Sequence, residues 1–174
     1  MSPRAKIALV AAVCAAPFVL GTAAYVFGWV PGTRGNYGEL IKPRLLSGAP
    51  LDALRGKWVL LSFDAAGCDA YCERKLYLMR QVRAAQGKDA GRVERVWALT
   101  DNGRARAELL GAIEGTHVVP LKEAPALHGF PADAVDRIYV VDPLGNLMMS
   151  FPRDPDPSKM LKDLQRLLRL SQIG

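Results

Sequence analysis

The hydrophobic pattern divides the chain into three parts. From Ile7 to Val30 there is no charged residue. A bilayer core needs about 20 helical residues, and these 24 exceed the roughly 7–15 apolar residues of a typical signal peptide. An uncleaved transmembrane anchor is therefore expected over 7–30, after a cytoplasmic tail at 1–6. A cleaved leader, with Thr22-Ala-Ala24 as its small-residue site, is the competing reading. Pro17 is tolerable in a membrane helix, and Cys14 reads as a small packing residue within it. Residues 31–57 hold Pro31, Gly32, Gly35, Gly38, Pro43, Gly48, Pro50 and Gly56, which is turn chemistry with little periodicity. They are expected to form a stalk and lead-in.

From residue 58 the pattern alternates between strand and helix. Residues 58–63 (Trp-Val-Leu-Leu-Ser-Phe) are one apolar run, read as a core strand. Residues 70–86 follow as a helix with Cys72, Leu76, Met79 and Val82 on one stripe, and Gly87 stops it. A second strand is expected over 93–100 and a short helix over 103–110. Residues 111–131, with Pro120, Pro125 and Pro131, read as irregular. Residues 137–141 and 147–151 flank a Pro/Gly turn and form a hairpin. A last helix runs to Leu170 with an apolar stripe of Met160, Leu161, Leu164, Leu167 and Leu168. Its basic stripe of Lys159, Lys162, Arg166 and Arg169 reads as a solvated face. The order predicts an α/β domain over 58–174, a four- or five-stranded mixed sheet with helices on both faces.

Two cysteines, Cys68 and Cys72, sit where the first strand gives way to its helix. At spacing i, i+4 they share one helical face, and a Cα separation of roughly 6 Å is bridgeable by a disulfide. Cys68 at the helix N-terminus meets unpaired N–H groups that favour thiolate. The same two sulfurs can hold one soft ion, and soft ligands select Cu(I). A structural bridge is the plainer alternative, but one this short closes almost no loop.

Charge narrows the partners. The net charge is +6, and 21 basic against 17 acidic residues remain without Arg4 and Lys6. No run of five like charges and no basic–aromatic interleaving occurs, so no nucleic-acid partner is expected. Arg4 and Lys6 precede the span, whereas Arg34, Lys42 and Arg44 follow it, so the positive-inside rule alone leaves orientation open. A redox or Cu(I) dithiol belongs in an oxidising space. The expected place is a bacterial inner membrane, crossed once, with the soluble domain in the periplasm.

This order of elements, with a cysteine pair opening the first helix, describes a thioredoxin-like fold. Within it the chain resembles the Sco/SenC family, membrane-anchored copper and thiol proteins of cytochrome c oxidase assembly. The residues that carry the resemblance are the single N-terminal span, Val59-Leu-Leu-Ser-Phe63 and the Cys68-x-x-x-Cys72 spacing. Val96-Trp-Ala-Leu-Thr-Asp101 and Ile138-Tyr-Val-Val-Asp-Pro-Leu-Gly145 are also similar. Two departures stand out. Glu73 occupies the place of a proline after the second cysteine. The third copper ligand of the family, a histidine shortly before the hairpin strand, is missing from Asp133-Ala-Val-Asp-Arg137. His117 and His128 lie upstream, and a loop of that length can carry His128 toward the cysteines, with Gly129 allowing the bend.

The resemblance implies a metallochaperone that binds Cu(I) between Cys68 and Cys72, with His128 as a candidate third metal ligand. The copper would pass to a respiratory oxidase subunit or another copper or thiol protein. A pure thiol–disulfide oxidoreductase is the enzymatic alternative: Cys68, the more exposed, attacks a partner disulfide and Cys72 resolves it, with Arg137 beside the pair. A third reading is a non-catalytic assembly factor that docks by its surface. A peroxidase is a weaker reading, because it needs a lone activated cysteine near a Thr and an Arg and Asp64-Ala-Ala-Gly67 offers no such Thr. Two cysteines and two histidines have no recognisable zinc spacing.

Overall fold

The computed structural model describes residues 2–27, 35–171 and 173. The chain divides into two compact units, residues 1–35 and 36–174.

In the first unit α1 (Pro3–Val26) starts at Ser2, whose Oγ accepts from the Ala5 N–H at 3.3 Å. None of its residues is buried. Its mean hydropathy of 2.2 over 18 residues makes it long and apolar enough to cross a membrane. Residues 28–30 of the expected span and 31–34 of the expected stalk lie outside the described residues.

The second unit is a six-stranded mixed sheet in the order β1-β6-β5-β2-β3-β4. The strands are β1 (Glu39–Leu45), β2 (Trp58–Asp64), β3 (Val93–Leu99), β4 (Thr116–Pro120), β5 (Ile138–Val141) and β6 (Asn146–Phe151). β3 runs parallel to β2 and β4, while β5 is antiparallel to β2 and β6, and β1 to β6. Every residue of β2 is buried, as its unbroken apolar run requires of a strand covered on both faces.

The six strands exceed the expected four or five. β1 falls in the expected stalk and lead-in, and β4 in the expected irregular stretch. Both are edge strands of at most seven residues, and the β1 side chains are mostly exposed. An edge strand with a solvated face has no need of the apolar signature that betrays a central one. What orders the β1 segment is tertiary. The Asp163 carboxylate accepts the Tyr37 and Gly38 N–H groups, both at 2.7 Å. A Cβ on Gly38 would meet Met149 Sδ at 2.6 Å, so the close approach needs glycine.

The helices are α2 (Ala70–Ala84), α3 (Ala107–Ala112) and α4 (Pro157–Leu170). All three contribute to one core layer: Cys72, Leu76, Met79 and Val82 from α2, Leu109 from α3, and Met160, Leu164 and Leu168 from α4. They meet Trp58, Leu60, Trp97, Val140 and Phe151 of the sheet. The opposite layer, from Val59, Leu61, Phe63 and Tyr139, is covered by short 3-10 turns such as Leu51–Leu54 and Pro125–Leu127. Helices thus flank the sheet as expected, but the three α-helices of this unit gather on one side. The period-2 split of β2 between the layers follows from the strand pleat.

Candidate functional site

The site forms at the carboxyl ends of the two central parallel strands, where open α/β sheets place their chemistry. β2 ends at Asp64, whose carbonyl accepts from the Thr100 N–H at 3.0 Å. The chain then turns tightly, with the Cys68 N–H on the Ala65 carbonyl at 3.0 Å. Cys68 itself has φ +40°, in the left-handed region. Asp69 caps α2: its Oδ1 accepts from the Cys72 N–H at 2.9 Å. This cap sets the helix start at Ala70, so Cys68 stands just outside the helix instead of opening it. The expectation of two sulfurs on one helical face is corrected accordingly. The cysteines are nevertheless joined as a disulfide, with their Cα atoms 5.2 Å apart.

Both cysteines are buried, Cys68 5% exposed and Cys72 2%, so neither sulfur is openly presented and Cys68 is the more exposed of the two. The turn packs against the loop after β3. Asp101 Oδ1 accepts from the Ala66 N–H at 3.0 Å and from the Gly103 N–H at 3.2 Å. Arg106, the last residue before α3, donates from Nη2 to the Cys68 carbonyl at 3.1 Å and also to the Glu73 carboxylate.

Behind the pair lies a charged couple. Lys75 Nζ sits 2.8 Å from Asp64 Oδ2 and donates to the Phe63 and Val135 carbonyls, with both side chains nearly inaccessible. Burial pushes the Asp64 carboxyl up to about 6, against the opposing pull of Lys75. Tyr71, between the cysteines in sequence, donates to the Asp136 carbonyl at 3.1 Å and stacks under Arg153 at 4.6 Å. Burial raises its phenol above the ordinary value.

The other sequence candidates lie elsewhere. His128 is exposed and its Nε2 is 2.9 Å from the Leu121 carbonyl. Gly129 does take a left-handed φ of +76°, but the bend leaves His128 on that carbonyl. His117 sits on β4, 3.4 Å from Glu94. Among the described residues no cluster of three or more His, Cys, Asp or Glu side chains can hold a metal. Arg137 is engaged with Glu39, Asp133 and Ser150, not with the cysteines. The arginine at the pair is Arg106, which the sequence reading passed over. Lys75 left a trace: it falls three residues after Cys72, within the otherwise apolar buried stripe of α2.

Comparison with known proteins agrees on the architecture. Yeast Sco1 with copper bound superposes with a TM-score of 0.60 at 15% identity, covering 78% of this chain and 94% of its own. Bradyrhizobium japonicum ScoI with copper bound gives 0.53 at 22% identity, covering 74% and 98%. A DsbE-type thiol:disulfide interchange protein assigned in Chlorobium tepidum gives 0.50 at 19%, covering 78% and 99%. At these identities the likeness is one of fold, the thioredoxin-like fold expected from the sequence. No curated protein matches by sequence. Residues 58–171 match the model of the transmembrane-like, thioredoxin-like C-terminal domain. With its sheet order, its cysteine turn and this match over more than half its length, the chain belongs to the family of transmembrane-like, thioredoxin-like C-terminal domains.

Proposed function

We propose that this chain is a membrane-anchored thiol–disulfide exchange protein working through Cys68 and Cys72. The carrying observation is the closed pair itself, set at the end of β2 against the cap of α2. In the reduced protein the Cys68 thiolate attacks one sulfur of a partner disulfide and releases one partner thiolate. Cys72 then attacks Cys68 Sγ, re-forms the intramolecular bond and releases the second partner thiolate. Two electrons pass to the partner, and the released thiolates take protons from solvent. Such a pair suits an oxidising compartment, which supports reading the domain as periplasmic with α1 in the inner membrane. The test is exchange by the full chain in detergent: Cys68→Ser abolishes it, and Cys72→Ser accumulates a mixed disulfide. Wild-type rates in both single variants would refute the mechanism.

A copper role is the second reading, favoured by the copper-bound Sco1 and ScoI structures that share the fold. Here Cu(I) is cargo, held between the two reduced thiolates and passed on by ligand exchange. Two sulfurs suit Cu(I), whereas Cu(II) retention wants an imidazole that the site lacks among the described residues. On the family resemblance the recipient is a respiratory oxidase subunit or another copper or thiol protein. Anaerobic titration of the reduced chain checks this: one equivalent of Cu(I) is expected, and no uptake rejects it.

A further inference from the structure

Glu73, in the first turn of α2, is the residue that holds Arg106. The Arg106 guanidinium joins the Glu73 carboxylate to the Cys68 carbonyl. Their side chains are 53% and 45% exposed, and an ion pair so exposed contributes only about 0–1 kcal/mol to folding. Its effect must be sought at the cysteine. Cys68 has φ +40°, a backbone conformation that is costly for a residue with a Cβ. Its N–H is fixed on Ala65 and its carbonyl on Arg106, so the turn is held from both ends. Covalent geometry keeps a cysteine's carbonyl oxygen within roughly 5 Å of its own sulfur. The guanidinium nitrogen is therefore at most about 8 Å from that sulfur, near enough for its charge to act on it in a partly buried site.

We infer that Arg106 is a positioning residue for Cys68, fixing the turn and stabilising negative charge on its sulfur, and that Glu73 restrains this effect. The inference rests on the thiol-exchange reading above. It assigns the two residues opposite effects. Removing the guanidinium leaves the attacking sulfur less stabilised and the turn less fixed. Removing the carboxylate frees the full cationic charge for the sulfur.

The experiment uses the full chain, reduced, in detergent, with the small aromatic disulfide DTNB as the probe at one fixed pH. Arg106→Gln is expected to slow the reaction about tenfold, a barrier change of about 1.4 kcal/mol. Arg106→Lys, which keeps the charge, recovers most of the rate, and Glu73→Gln reacts faster than wild type. The Cys68–Cys72 reduction potential should move with the rates: lower in Arg106→Gln, higher in Glu73→Gln. The slowing in Arg106→Gln and its rescue by lysine separate this role from loss of structure, which would expose the buried cysteines and speed all three. Arg106→Gln and Glu73→Gln both at the wild-type rate and potential would overturn the inference while exchange itself stands. A DTNB reaction that keeps its rate in Cys68→Ser, with Cys14 replaced by serine in every variant, would instead overturn the exchange reading beneath it.

Discussion

Asp64 Oδ2 and Lys75 Nζ lie 2.8 Å apart inside the fold, joining the end of β2 to the middle of α2 just past Cys72. Lys75 is well served, since the two backbone carbonyls of Phe63 and Val135 complete its partners. Asp64 pays for its burial with a carboxyl raised from 3.8 to about 6. The folded chain therefore binds a proton here that the unfolded chain has released, so this group's contribution to stability falls as pH rises through about 4 to 6. The amplitude is roughly 1–3 kcal/mol. Asp64→Asn, which cannot titrate, should remove that part of the pH dependence. Urea denaturation of both forms from pH 4 to 7 checks it, and parallel stability profiles would contradict the assignment.

Removing one charge of this couple is expected to hurt more than removing both. Lys75→Met leaves a carboxylate without its buried partner and should cost about 3–5 kcal/mol. The double variant Asp64→Leu, Lys75→Met should recover part of that loss. A double variant less stable than Lys75→Met, by denaturant midpoint, would count against the pairing.

Asp163 ties α4 to the segment leading into β1 through two backbone N–H groups. Hydrogen bonds to a charged group contribute about 1.5–3 kcal/mol each. Asp163→Ala should lower stability by at least ~2 kcal/mol and speed amide exchange across residues 37–45 selectively. Unchanged protection there would mean that this carboxylate does not order β1.

The disulfide closes a span of only four residues in sequence. Chain entropy gives such a small loop roughly 2 kcal/mol, a modest share beside a core that runs across both faces of the sheet. Reduction should leave the chain folded with a slightly lower denaturation midpoint. Unfolding on reduction alone would show that the bridge is structural and weaken the exchange reading.

His128 is turned to a carbonyl seven residues back in the chain. His128→Ala should therefore leave Cu(I) stoichiometry and affinity within about twofold of wild type, whereas the double Cys→Ser variant should take up none. A tenfold weaker Cu(I) affinity in His128→Ala would place the imidazole in the site.

Much of the fold was legible because its signals are local. The apolar run of β2 needs both faces covered, and the spacing of Leu76, Met79 and Val82 needs a helix packed on one side. The hairpin of β5 and β6 is written in Asp142-Pro-Leu-Gly-Asn146, where Asp142 accepts from the Leu144 and Asn146 N–H groups. β1 was not legible, since an edge strand with mostly exposed side chains carries little periodicity, and β4, five residues ending in Pro120, is too short to show any.

The sequence by itself determined the central strands, the amphipathic helices, the apolar N-terminal segment and the closeness of Cys68 to Cys72. Each depends on hydrophobic period or on spacing within a few residues, which the chain enforces wherever it folds. Only the tertiary structure decided which charges surround the cysteines. It set Arg137 on Glu39 and Asp133 and His128 on the Leu121 carbonyl, and it brought Arg106, Asp64 and Lys75 to the cysteine turn, because what packs beneath a side chain sets its direction. A cysteine turn offers a donor at Ala66 and an acceptor at Cys68, and the residues that meet them, Asp101 and Arg106, come from the loop between β3 and α3, more than 30 positions away in the chain.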